Sequence, residues 1–103
     1  MPKFMFIYHG GSAPESPEEG AKVMAAWTAW LEGMGSAVVD MGNPAGPSKT
    51  VSASGVTDDG GANPVSGYTL VTAADHDAAV GMAQGCPILS DGGSVEVAEA
   101  MEM

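Results

Sequence analysis

Two histidines, one cysteine and three lysines are thinly spread through 103 residues, so the side chains able to do chemistry can be weighed one by one. His9 leads them. A free imidazole titrates at about pH 6.5, so at neutral pH it can take a proton from a substrate or return one. A carboxylate from Asp40 or Asp91 would fix its tautomer and stabilise its charged form, which makes His9 and Asp40 the candidate catalytic pair for proton abstraction or elimination. Lys49 and the backbone amides of the Gly42–Gly46 loop could hold an anionic substrate group, such as a carboxylate or enolate. Asn43, Lys49, Tyr68 and Asp91 are therefore the candidate ligand-binding residues. A purely structural account competes with this one. In it His9 bonds a strand end, Asp40 and Asn43 shape a Pro-Gly turn, and Lys49 makes a surface ion pair.

The remaining reactive groups carry less. His76 falls in the first turn of a helix between Asp75 and Asp77 and reads as their charge partner. Cys86 follows a helix C-terminus, whose negative end raises a thiol pKa, so packing is its expected role. The pairs Gly10-Gly11 and Gly92-Gly93 lack the G-x-x-x-x-G-K spacing of a phosphate loop. Two distant histidines and a lone cysteine give no metal-ligand spacing, and neither a metal nor a cofactor is expected. The single cysteine also rules out an intrachain disulfide and fits a reducing compartment. The apolar stretch at Met1–His9 is too short for a signal segment or a membrane span, so the expected location is cytoplasmic. Thirteen acidic residues against three lysines give a formal charge of -10, which argues against nucleic acid or an anionic membrane surface as a partner.

The elements that would position these groups follow from local chemistry. Phe4 to His9 reads as a central strand ending at Gly10-Gly11. Ser16-Pro17-Glu18-Glu19 combines a capping Ser, Pro at the first helical position and Glu three residues after the cap. Val23, Met24, Trp27, Trp30, Leu31 and Met34 then recur at helical spacing as one apolar face, and Gly35 suits the position beyond the last turn. Ala37–Met41 reads as a second strand, followed by the turn formers Gly42 to Pro47. Lys49–Ala53 and Gly55–Thr57 are expected to pair as a small hairpin. Val65–Thr72 alternates as a strand, with Tyr68, Leu70 and Thr72 on one face. Asp75 caps a second helix through Gln84, Gly85 and Pro87 stop it, and Ser94–Ala98 is the last strand before the tail Met101-Glu102-Met103.

This order predicts one α+β domain over residues 1–103, a ferredoxin-like βαββαβ unit with a hairpin insertion. In that topology the first and second strands are parallel. His9 and Asp40 would then end on one edge of the sheet, joined there by the start of the Val65 strand and the Ser90-Asp91-Gly92 approach to the last strand. Two helices cover one sheet face and leave the other bare, so a second copy packed on that face is the expected solution.

The segments Lys3–His9, Ser16–Glu19 with Trp27 and Trp30, Gly67-Tyr68 and Gly92–Val97 together resemble the YCII-related family over nearly the whole chain. Asp59-Gly60-Gly61-Ala62-Asn63-Pro64 stands where one branch of that family has Asp-Gly-Pro-Phe. The resemblance implies a dimeric α/β barrel in which two ferredoxin-like sheets face each other. It implies no single activity: a few relatives are lyase-like enzymes with a His-Asp pair, which no motif here matches. Three functions therefore stay open: a homodimer binding a small organic molecule, anions included, near the sheet edge; a lyase or isomerase with His9 as base; and a non-catalytic structural or regulatory dimer.

Overall fold

Alternation of Phe4, Phe6 and Tyr8 with Met5, Ile7 and His9 makes β1 (Lys3–His9) a two-faced strand, and in the computed structural model, which describes residues 1–102, it lies inside a four-stranded sheet. α1 (Pro17–Met34) follows, then a 3-10 turn and β2 (Val38–Asp40). β3 (Thr50–Ser52) and β4 (Gly55–Thr57) form a separate hairpin, and β5 (Val65–Thr72), α2 (His76–Ala83), a second 3-10 turn (Pro87–Asp91) and β6 (Ser94–Ala100) complete the order. The main sheet runs β2-β5-β1-β6 with antiparallel neighbours. Since β1 and β2 both run against β5, they are parallel to each other. The architecture is thus α+β, with two helices, a four-stranded sheet and a two-stranded one. Of the tail, Met103 lies outside the described residues.

The helix starts rest on the expected chemistry. Ser16 accepts the Glu19 amide at 3.1 Å, and Asp75 accepts the Ala78 amide at 2.8 Å, each satisfying an amide the helix cannot pair. Phe4, Phe6, Thr69 and Val71 pair across β1 and β5 and are almost wholly buried on one sheet face. Ala79, Ala83, Cys86 and Ile88 close over them, with Trp27, Trp30 and Met34 packed against the cluster. Phe6 stacks on Trp30 at 6.0 Å, Tyr8 meets Trp27 edge-on at 5.0 Å, and Trp30 Nε1 donates to the Met82 carbonyl at 3.0 Å. Both tryptophans are packing residues. The apolar stripe of α1 is narrower than its spacing predicts: Met24 is 67% exposed, and no residue of the helix is fully buried.

Met5, Ile7, Tyr68, Leu70 and Ala98 share the other sheet face, where Met5 is opposite Leu70 and Ala98, and Ile7 is opposite Tyr68 and Glu96. Neither helix packs there. The molecule is consequently flat, with extents of 43 × 42 × 18 Å and a radius of gyration of 14.8 Å, against about 13 Å for a compact chain of this length. Its accessible surface of 6792 Å² likewise exceeds the roughly 5,400 Å² of a monomer of this mass.

Candidate functional site

His9 sits where β1 ends, and its surroundings are set by a break in register. Tyr8 pairs with Gly67 but His9 with Val65, so Ser66 is the extra residue of a bulge on β5. On the other side His9 pairs with Ser94, which places Glu96 diagonally across β6. Behind the strand end, an added Cβ on Gly93 would come within 2.7 Å of the His9 carbonyl oxygen and 2.9 Å of the Gly11 nitrogen. The paired glycines thus let the exit of β1 and the entry of β6 touch backbone to backbone.

The His9 ring is held from both sides. Nδ1–H donates to the carbonyl oxygen of Asn63 at 3.0 Å and that of Pro64 at 3.3 Å, while Nε2–H donates to Glu96 Oε1 at 3.0 Å. Carbonyls accept only, so Nδ1 must carry a proton, and a carboxylate at Nε2 calls for a second one. His9 is therefore placed as an imidazolium. The Glu96 hydrogen bond holds its pKa above the ordinary value, opposed by desolvation and assisted by the two carbonyls. His9 is 8% exposed, whereas the Glu96 side chain is 65% exposed, so the carboxylate is the solvent-facing end of the pair.

Asp40 does not join His9. It pairs with Leu70, which stands about 16 Å along β5 from Val65, the residue opposite His9, and its carboxylate instead accepts the Gly42 amide at 2.8 Å. That is the turn chemistry of the structural account. Asn43 is joined to Tyr68 through backbone, its carbonyl accepting the Tyr68 amide at 3.3 Å, and Tyr68 lies on the helix-free face opposite Ile7. Lys49 pairs with Asp58 at 3.1 Å, both of them well exposed. Asp91 ends the second 3-10 turn and lines a groove of about 680 Å³ between α1 and residues 84–91. A second groove, of about 300 Å³, lies between α2 and β6. His9 borders neither.

Glu96 is the partner that sequence reasoning missed. Its signal is present only once the register is known, because Ser94, Glu96 and Ala98 then share a face with Met5, Ile7 and His9. His76 also departs from expectation. Its Nε2–H donates to the Val97 carbonyl at 2.9 Å, and its ring lies 5.4 Å from that of Phe4, so it fastens α2 to the edge strand and does not pair with Asp75 or Asp77. Cys86 is buried, which pushes its thiol up to about 11 and leaves it a packing residue. Burial also raises the Tyr8 pKa, its hydroxyl donating at 2.6 Å to Thr69, which donates on to the Met41 carbonyl at 2.9 Å. Among the described residues, no cluster of three or more His, Cys, Asp or Glu side chains is placed to hold a metal, and no helix is long and apolar enough to cross a membrane.

The arrangement offers a fixed cationic donor at the end of a partly apolar sheet face. An imidazolium with both N–H groups engaged has no lone pair with which to abstract a proton, so its chemistry is that of an acid or of a hydrogen-bond donor to an anion. No protein-family model matches the chain, and no curated protein matches it.

Proposed function

We propose that the chain is a ferredoxin-like, YCII-related module that works as a homodimer and binds a small anionic organic molecule beside His9. One observation carries the reading: the His9 imidazolium is presented at the end of the helix-free sheet face, with an exposed carboxylate on its outer nitrogen. A ligand carboxylate or enolate would displace Glu96 as the acceptor of Nε2–H, while Asn63 and Pro64 keep the ring in place. Tyr68 and Ile7, next along the same face, would flank the apolar part of such a ligand.

A second copy supplies what one copy lacks. The sheet order β2-β5-β1-β6 with β1 parallel to β2 supports the ferredoxin-like reading, and two such sheets packed on their bare faces would form a dimeric α/β barrel. The surface excess of about 1,400 Å² over a compact monomer exceeds the roughly 800 Å² per partner of a standard interface and falls in the range of an obligate homodimer. His9 borders neither of the two grooves described above, and in this reading the pocket is completed at the dimer interface. The engaged Nδ1 and Nε2 make His9 a donor in this reading and speak against its acting as a general base.

The test is a titration with small carboxylates, acetate and benzoate, read on the ¹⁵N and ¹H resonances of His9 in the full chain at pH 6, with sedimentation of the same samples. Saturable shifts of both ring nitrogens in a dimer are expected. A His9 whose resonances ignore both acids would leave a non-catalytic structural dimer as the better account.

A further inference from the structure

Asp91 lines a groove of about 680 Å³ on the helix side of the sheet, a size within the range of small-molecule sites. One wall is the stripe of α1 from Glu19 to Trp30, and the other is residues 84–91. From Lys22 to Trp30 the helix rises about 12 Å, and Val23, Ala26 and Ala29 line the groove between them. Trp30 stacks on Phe6, while Gly85 leaves its indole edge uncovered: an added Cβ at Gly85 would stand 3.3 Å from Cδ1 and Nε1. Since Gly85 touches Trp30, the second wall runs from there past Pro87 and Leu89 to Asp91. Beyond Asp91, Gly92 and Gly93 meet Gly10 at the exit of β1, the segment that leads into the start of α1. The two walls therefore carry their charges at one end of the groove and their apolar residues at the other.

The charges say what this groove fits. Lys22 and Asp91 stand on opposite walls, and among the described residues neither forms an ion pair. Asp91 is half-buried. Glu19 turns back onto the helix start, its carboxylate accepting the Glu15 amide at 3.4 Å. A plain carboxylate entering here would meet Asp91 as well as Lys22, and a plain amine would meet Lys22 as well as Asp91. A zwitterion satisfies both. We infer that the groove is a binding site for a free α-amino acid with an apolar side chain. Its carboxylate pairs with Lys22 and its ammonium with Asp91, while its side chain runs along Val23 and Ala26 toward Trp30. The site is separate from that beside His9 and needs no second copy.

Titration of the full-length chain with L-phenylalanine at neutral pH, followed in ¹H–¹⁵N spectra, tests this. Saturable shifts of the Trp30 indole N–H and of the amides between 84 and 91 are expected, with the His9 ring unmoved. Hydrocinnamate lacks the ammonium and phenethylamine lacks the carboxylate, and each should bind at least about fivefold more weakly. Lys22→Gln should bring phenylalanine down to the level of phenethylamine, and Asp91→Asn to that of hydrocinnamate. Ala26→Leu, a change at an exposed helix position that suits the helix, should fill the groove and abolish the shifts. Unmoved resonances at Trp30 and 84–91, shifts confined to the His9 ring, or equal affinity for phenylalanine and both analogues would overturn the inference. Acetate titration of His9 in the same samples keeps the two sites distinguishable.

Discussion

Replacing Glu96 with Gln tests the ionic state of His9 through stability. The native pair is a charge-assisted hydrogen bond of 3.0 Å between a buried ring and a carboxylate that is 65% exposed. Such bonds contribute about 1.5–3 kcal/mol when well shielded, but solvent on the carboxylate side screens this one toward the value of an exposed pair. A loss of about 1 kcal/mol is expected for Glu96→Gln. Because the folded pKa of His9 is raised, with the Glu96 hydrogen bond as the largest cause, the pair's contribution is complete below the unfolded value of about 6.5 and is lost as pH rises through the folded value. Above it the ring keeps Nδ1–H on Asn63 but turns a lone pair toward Glu96, where the amide of a glutamine can donate instead. Wild-type and variant stabilities should therefore differ by about 1 kcal/mol below the unfolded value and converge or cross as the pH rises through the folded one. Urea unfolding at fixed chain concentration measures this, since association would otherwise shift the midpoint. A difference that does not change with pH on the alkaline side of the unfolded value would falsify the imidazolium assignment.

Two further predictions address the frame around the site. Phe6→Ala empties a fully buried position stacked on Trp30 and should cost about 3–5 kcal/mol, a large part of a small domain's stability; a urea midpoint shifted by less than half that would mean the core collapses around the gap. Gly42 has φ +75° and an added Cβ would overlap the Tyr68 carbonyl, whereas Gly81 in α2 has open space at that position. Gly42→Ala should destabilise by at least about 2 kcal/mol and Gly81→Ala should stabilise by about 0.5–1 kcal/mol, both read as changes in urea midpoint at unchanged slope.

Local signals carried much of the architecture. The Ser16 and Asp75 caps, the strand Val65–Thr72 and the hairpin pairing of Thr50–Ser52 with Gly55–Thr57 are each written in a few neighbouring residues, because they depend on φ preferences, side-chain capping and period-two alternation. Met24 shows the limit of such reading. Its spacing fits the apolar stripe, but α1 offers only a narrow seam through Trp27, Trp30 and Met34, and the stripe's edge stays in water. Of the candidate site, the sequence placed His9 at a strand end but not the groups that bond its ring. Asp40 looked like a partner because it too ends a strand, yet β2 is short and pairs farther along β5.

From the sequence alone come the element types and their order, the acidic surface, the tryptophan-bearing helix, and His9 at a strand end, since each depends on residue type or on contacts a few positions apart. Tertiary structure alone decided which carboxylate meets His9, which side of the sheet stays bare, and that His76 fastens an edge strand. Those outcomes depend on register between strands 87 residues apart in the chain for His9 and Glu96, and on a single extra residue at Ser66. Because side chains alternate every residue along a strand, a one-residue slip moves each of them to the opposite face, and no local preference fixes that choice.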